Sequence, residues 1–116
     1  MDTVKRLIGK GVDVNARNKI GLTPLCLASQ EGRTEIGNIL VASGADIDAK
    51  DSGGRTPLYY AAREGYERIV DLFLAKGADI NGSTNSGKTP IDIAKEKGHS
   101  KVIRLLEKHW KRTERR

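Results

Sequence analysis

A step of thirty-three residues governs this chain. Thr-Pro occurs at Thr23-Pro24, Thr56-Pro57 and Thr89-Pro90. Gly11, Gly44 and Gly77 keep the same step, as do Gly21, Gly54 and Gly87, and again Gly32, Gly65 and Gly98. Four markers in phase mean that one supersecondary unit is made repeatedly and stacked on itself. Such a unit cannot bury its apolar face alone, so contact with its neighbours creates the core.

Each unit has a physical reading. Thr23 is a good N-cap, because its hydroxyl can accept from a free N–H of the first turn. Pro24 suits the first helical position, where its missing N–H costs nothing. A short helix over Leu25–Glu31 is expected, stopped by Gly32 with positive φ. A second helix is expected over Thr34–Ser43, with Ile36, Ile39 and Leu40 on one face. Gly44 ends it, and Ala45-Asp46-Ile47-Asp48 leads to a polar turn at Asp51-Ser52-Gly53-Gly54, which suits a hairpin-like loop. The next units repeat the plan, with helices expected to start near Thr56, Tyr66, Thr89 and Ser100. The aromatic share is 4%, so the core must be Leu, Ile, Val and Ala in thin layers, and Ala28, Ala61, Ala62 and Ala94 let helices approach closely. A hydrophobic share of 37% beside 31% charged residues suits a shape with much surface for its volume.

These residues closely resemble the ankyrin repeat. Gly54-Arg55-Thr56-Pro57-Leu58-Tyr59-Tyr60-Ala61-Ala62-Arg63-Glu64-Gly65-Tyr66 follows that family's signature, as does Leu72-Phe73-Leu74-Ala75-Lys76-Gly77-Ala78-Asp79-Ile80-Asn81. The resemblance implies an all-α solenoid of stacked helix–turn–helix units with short β-hairpin loops. It divides the chain into a repeat domain over 1–110 (a partial repeat 1–17, then 18–50, 51–83 and 84–110) and a basic tail over 111–116.

Departures from the pattern are informative. Val4, Leu7 and Ile8 align with a second helix, so the first unit is half present. It is either part of a longer array or a minimal cap, and the polar Thr3 and Arg6 favour the cap. Glu107 and Trp110 stand where Leu74 and Gly77 stand earlier, which reads as the polar end of the stack. Gly37 occupies the Val70 position, where glycine costs about 1 kcal/mol relative to alanine and is expected to leave a gap. Cys26, Tyr59 and Asp92 replace the family's histidine, so the Thr–His hydrogen bond that the resemblance implies is lost in every unit.

Catalysis needs convergent polar groups, and the sequence supplies none. Cys26 has no base near it, since His99 and His109 lie two units or more along the stack. His99 falls where many ankyrin units carry a structural histidine. There is no phosphate-binding G-x-x-x-x-G-K-[ST] loop, and two His with one Cys do not make a structural metal site. No enzyme activity, metal or cofactor is expected. One cysteine allows no internal disulfide, no secretory signal or membrane-length apolar run is present, and a cytoplasmic or nuclear monomer is expected.

The remaining function is binding. Positions that vary while the frame stays constant lie at the loop tips and on the first helices, and in ankyrin repeats such positions line the groove that grips partner proteins. They include Arg17, Lys19, Ile20, Leu22, Gln30, Lys50, Ser52, Arg55, Tyr59 and Arg63. Ile20 and Leu22 stand out as expected exposed apolar side chains on a turn, and at least one of Tyr59 and Tyr60 should pack between helices. A second reading rests on charge. Residues 1–94 carry twelve Lys/Arg and twelve Asp/Glu, whereas residues 95–116 carry nine against three, the whole of the +6. A basic end around Trp110 could bind nucleic acid or another acidic surface. The neutral body argues against it, because phosphate binding usually needs a broad basic face.

Overall fold

Every Thr-Pro starts a helix, for the reason its chemistry suggests. Thr23, Thr56 and Thr89 adopt extended backbone, with ψ of 164°, 167° and 168°. Each hydroxyl accepts the N–H three residues on, from Cys26 at 3.3 Å, Tyr59 at 3.2 Å and Asp92 at 3.3 Å. In this computed structural model, residues 14–114 are described, with side chains as far as Trp110. Six helices lie among them: α1 (Pro24–Gln30), α2 (Thr34–Ala42), α3 (Pro57–Glu64), α4 (Glu67–Ala75), α5 (Pro90–Lys97) and α6 (Ser100–Glu114). The starts agree with those expected from sequence. In the last unit Asp92 also accepts from the Thr89 N–H at 3.0 Å, which completes a capping box. The residue that displaced the family's histidine thus makes a reciprocal bond of its own with the threonine.

The helices form two rows. α1, α3 and α5 pack in sequence, α2, α4 and α6 pack behind them, and each pair packs across the rows. Between the rows Leu25, Ala61, Ala62, Ile69, Val70, Phe73 and Ala94 have no exposed surface. The alanines allow the close approach expected of them.

Two expectations need correction. Gly37 leaves no gap: a Cβ there would lie 3.2 Å from Ile69 Cδ1 and 3.8 Å from Leu25 Cδ1. The isoleucine of the next unit has taken the space. The loops are turns rather than two-stranded hairpins, and no strand occurs among the described residues. In each loop two backbone bonds close the turn: Asn18 N–H to Leu22 O (3.0 Å), Asp51 N–H to Arg55 O (3.0 Å) and Thr84 N–H to Lys88 O (2.8 Å), and the N–H groups of Gly21, Gly54 and Gly87 to the carbonyls of Asn18, Asp51 and Thr84 (2.9, 2.9 and 2.8 Å). The returning N–H goes instead to a side-chain oxygen of Asn18, Asp51 or Thr84, at 3.0, 2.9 and 3.2 Å. A side chain therefore does what a second strand bond would do.

Val4, Leu7 and Ile8, Thr3 and Arg6 of the partial first repeat lie outside the described residues. At the other end α6 runs through the expected boundary at 110/111 without a break, and buries Val102 and Leu106. The side chains of residues 111–116 are likewise outside the description. No helix among the described residues is long and apolar enough to cross a membrane.

Candidate functional site

Successive loops are tied together by bonds that repeat with the stack. Ile20 O accepts from the Ser52 N–H at 3.0 Å and from Ser52 Oγ at 2.6 Å. Gly53 O accepts from the Asn85 N–H, and Ser52 O from Asn85 Nδ2, both at 2.9 Å. Arg17 Nη1 donates to Lys50 O, and Lys50 Nζ donates to Ser83 O at 3.2 Å, each bond spanning one whole repeat. Lower in the loops, Asn15 Oδ1 accepts the Asp46 N–H at 2.7 Å and Asp48 Oδ1 accepts the Asp79 N–H at 2.9 Å. The loop tips are thus a ladder held at fixed spacing. Sequence reasoning missed the Asn15 and Asp48 ties. The signal was present in the step from Asn15 to Asp48 to Asn81.

Behind the middle loop sits a buried carboxylate. The Asp51 side chain has no exposed surface. Its Oδ1 accepts the N–H groups of Gly53 and Arg55, both at 2.9 Å. Its Oδ2 accepts from Arg55 Nε at 3.1 Å and from the Tyr60 hydroxyl. Burial alone would raise the Asp51 carboxyl, but the Tyr60 hydroxyl, the Arg55 N–H and the Arg55 charge together hold it below the usual carboxylate range. Burial, and then the bond to Asp51, push the Tyr60 phenol well above its ordinary value. The Tyr60 ring meets Tyr59 edge-on at 6.2 Å, and lies 4.9 Å from Arg63 Cζ and 5.5 Å from Arg55 Cζ.

The residues singled out from sequence now separate. Ile20 is 52% exposed, as expected, whereas Leu22 is only 7% exposed. The expectation of two exposed anchors is therefore wrong for Leu22, which packs with Cys26 and Tyr60. Tyr59 is also buried, at 8%, so both tyrosines pack inside and Tyr59 offers no surface anchor. Arg17, Lys50 and Ser52 are exposed but spend donors on the ladder, while Lys19 is exposed at the first tip. Arg55 and Arg63 are half-buried and paired with Asp51 and Glu64. Gln30 is half-buried at the end of α1. Sequence reasoning did not find Leu27, 44% exposed at the position where Tyr60 and Ile93 are buried.

The other candidate chemistries resolve as structure. Cys26 is fully buried, and burial raises its thiol. His99 Nε2 lies 2.9 Å from Arg63 O, and its ring covers Gly65 as the Tyr66 ring covers Gly32. Trp110 lines an open groove of about 290 Å³ with Ile80, Ile91 and Leu106. No cluster among the described residues could hold a metal ion. Compared with known protein families, the chain matches the model described as ankyrin repeats (three copies) over residues 1–84 and again over 54–113. No curated protein matches it.

Proposed function

Because the chain belongs to the ankyrin repeat family, whose repeats generally mediate protein–protein interaction, we propose that it is a non-enzymatic scaffold that binds a partner protein through its loop tips and first helices. One observation carries this reading. Ile20 holds an exposed apolar side chain on backbone that is fastened from both sides. Its N–H donates to Asn18 Oδ1 at 3.0 Å, and its carbonyl accepts from Ser52. An apolar anchor held in place loses little freedom on binding, which is how a few residues come to dominate an interface. The ladder supports the same reading, because it sets the spacing of neighbouring tips before any partner arrives.

Affinity capture with quantitative mass spectrometry tests it. Ile20→Ser is expected to lose the partners of the parent chain, and Arg104→Ser on α6 to keep them. The reverse ranking would move the interface to the outer helices. Deletion of residues 111–116 is expected to leave the partner set unchanged. Its loss would favour the alternative, binding of nucleic acid or another acidic surface through the basic end.

A further inference from the structure

The body of the chain is neutral in sum but not by face. Across residues 15–22, 49–55 and 82–88 the loops carry Arg17, Lys19, Lys50, Arg55 and Lys88 against a single acid, Asp51, which is wholly buried. The balancing acids lie elsewhere: Asp46, Asp48 and Asp79 in the preceding turns, and Glu35, Glu67 and Asp71 on α2 and α4. Within the loops the positive charge is uneven as well. Arg55 is paired with Asp51, Lys88 with Glu96 and, on the helix behind, Arg63 with Glu64. Arg17 and Lys50 donate to backbone carbonyls, and among the described residues neither they nor Lys19 make an ion pair. These three cations, without an ion pair among the described residues, belong to the first two tips, and the exposed Ile20 lies among them in the ladder.

We propose that this patch recognises an acidic protein segment that carries one aliphatic side chain, which sits on Ile20 while flanking carboxylates meet Arg17, Lys19 and Lys50. The proposal rests on the binding face argued above and adds the chemistry of the partner. Charge placed around an apolar contact chiefly sets partner choice and the rate of encounter. A peptide suits the patch better than nucleic acid does, because the ladder places an aliphatic side chain where a phosphate backbone would need another cation.

The test uses the full chain and a short fluorescein-labelled peptide of glutamates around one leucine, followed by anisotropy at low and physiological salt. The peptide is expected to bind, and to bind more weakly as salt rises. Lys19→Glu and Ile20→Ser should each weaken binding about tenfold or more. Lys19→Arg should leave it unchanged, and so should Arg104→Glu on α6, which alters net charge by the same amount at a distant place. Equal losses for Lys19→Glu and Arg104→Glu would mean that only net charge is sensed, and would overturn the proposal. So would an undiminished affinity for a peptide with serine in place of the leucine, failure of the peptide to bind, or a preference for a duplex DNA oligonucleotide. Affinity capture, read beside the peptide titration, separates the two levels of inference. Protein partners lost by Ile20→Ser, with no acidic-peptide binding, would leave the face standing and refute its chemistry. Hydrogen-exchange protection by the peptide confined to α2, α4 and α6 would refute the patch, and partners kept by Ile20→Ser but lost by Arg104→Ser would refute the face as well.

Discussion

Tyr60→Phe removes one oxygen from the interior and leaves the ring. The lost hydroxyl donates to Asp51 Oδ2, and the Asp51 side chain has no exposed surface on which water could replace it. The carboxylate keeps the Gly53 and Arg55 N–H groups at 2.9 Å and Arg55 Nε at 3.1 Å, so its charge survives with one donor fewer. Phenylalanine preserves the edge contact with Tyr59 and the approach of Arg63 and Arg55 to the ring. A hydrogen bond to a charged group contributes about 1.5–3 kcal/mol. Arg55 Nε already serves the same oxygen, so the lower part of that range applies, and a loss of about 1.5–2 kcal/mol is expected. Urea unfolding at neutral pH measures it as a lower midpoint with an unchanged slope. A second arm follows from the charge. A carboxyl whose folded value is depressed contributes stability that is present above its unfolded value, about 3.9, and lost as pH falls through the folded value. Tyr60 is one cause of the depression at Asp51. The gap between parent and variant should therefore shrink as pH falls below about 4. A loss under about 0.5 kcal/mol at neutral pH, too small for a bond to a buried charge, would refute the reasoning, as would a gap unchanged in acid.

Three further outcomes can be checked by the same unfolding assay or by hydrogen exchange. Gly37→Val should destabilise by about 1–3 kcal/mol through overpacking, because a Cβ alone already comes within 3.2 Å of Ile69 Cδ1. Gly37→Ala should stay near the parent, its helix gain of about 1 kcal/mol offset by the push on Ile69; a stabilising valine would mean that the site is open after all. Gly65→Ala and Gly98→Ala bear the same left-handed strain, at φ 77° and 74°, but only the first places a Cβ against His99, 2.6 Å from Nδ1. Gly98→Ala should cost about 1–2 kcal/mol and Gly65→Ala clearly more; equal costs would deny that contact its weight. Amides of α2, which buries Gly37 and Leu40, should exchange faster than those of α4, which buries Ile69, Val70, Phe73 and Leu74. Equal protection would count against uneven stability along the stack.

Much of the architecture was legible because its causes are local. A threonine cap and a proline at the first helical position act within one turn of backbone, so the helix starts at Thr23, Thr56 and Thr89 could be read directly, and those near Thr34, Tyr66 and Ser100 followed from the glycine that ends the helix before each. The family resemblance rested on the same residues. The exposure of the loop side chains was legible in part. Ile20 is exposed as expected, but Leu22, two residues away on the same turn, carries the same apolar signal and is buried. What separates them is Tyr60, which arrives from the next unit to cover Leu22 together with Cys26.

The sequence by itself determined the repeat, the helix boundaries and the position of each turn, because these follow from dihedral preferences and from hydrogen bonds a few residues long. Tertiary structure decided everything that depends on how one unit is set against the next. It joined Arg17 to the carbonyl of Lys50, filled the space at Gly37 with Ile69, and laid Tyr60 against Leu22. Such contacts depend on the rotation and separation of neighbouring units. Packing of the whole interface sets both, and no single residue announces them.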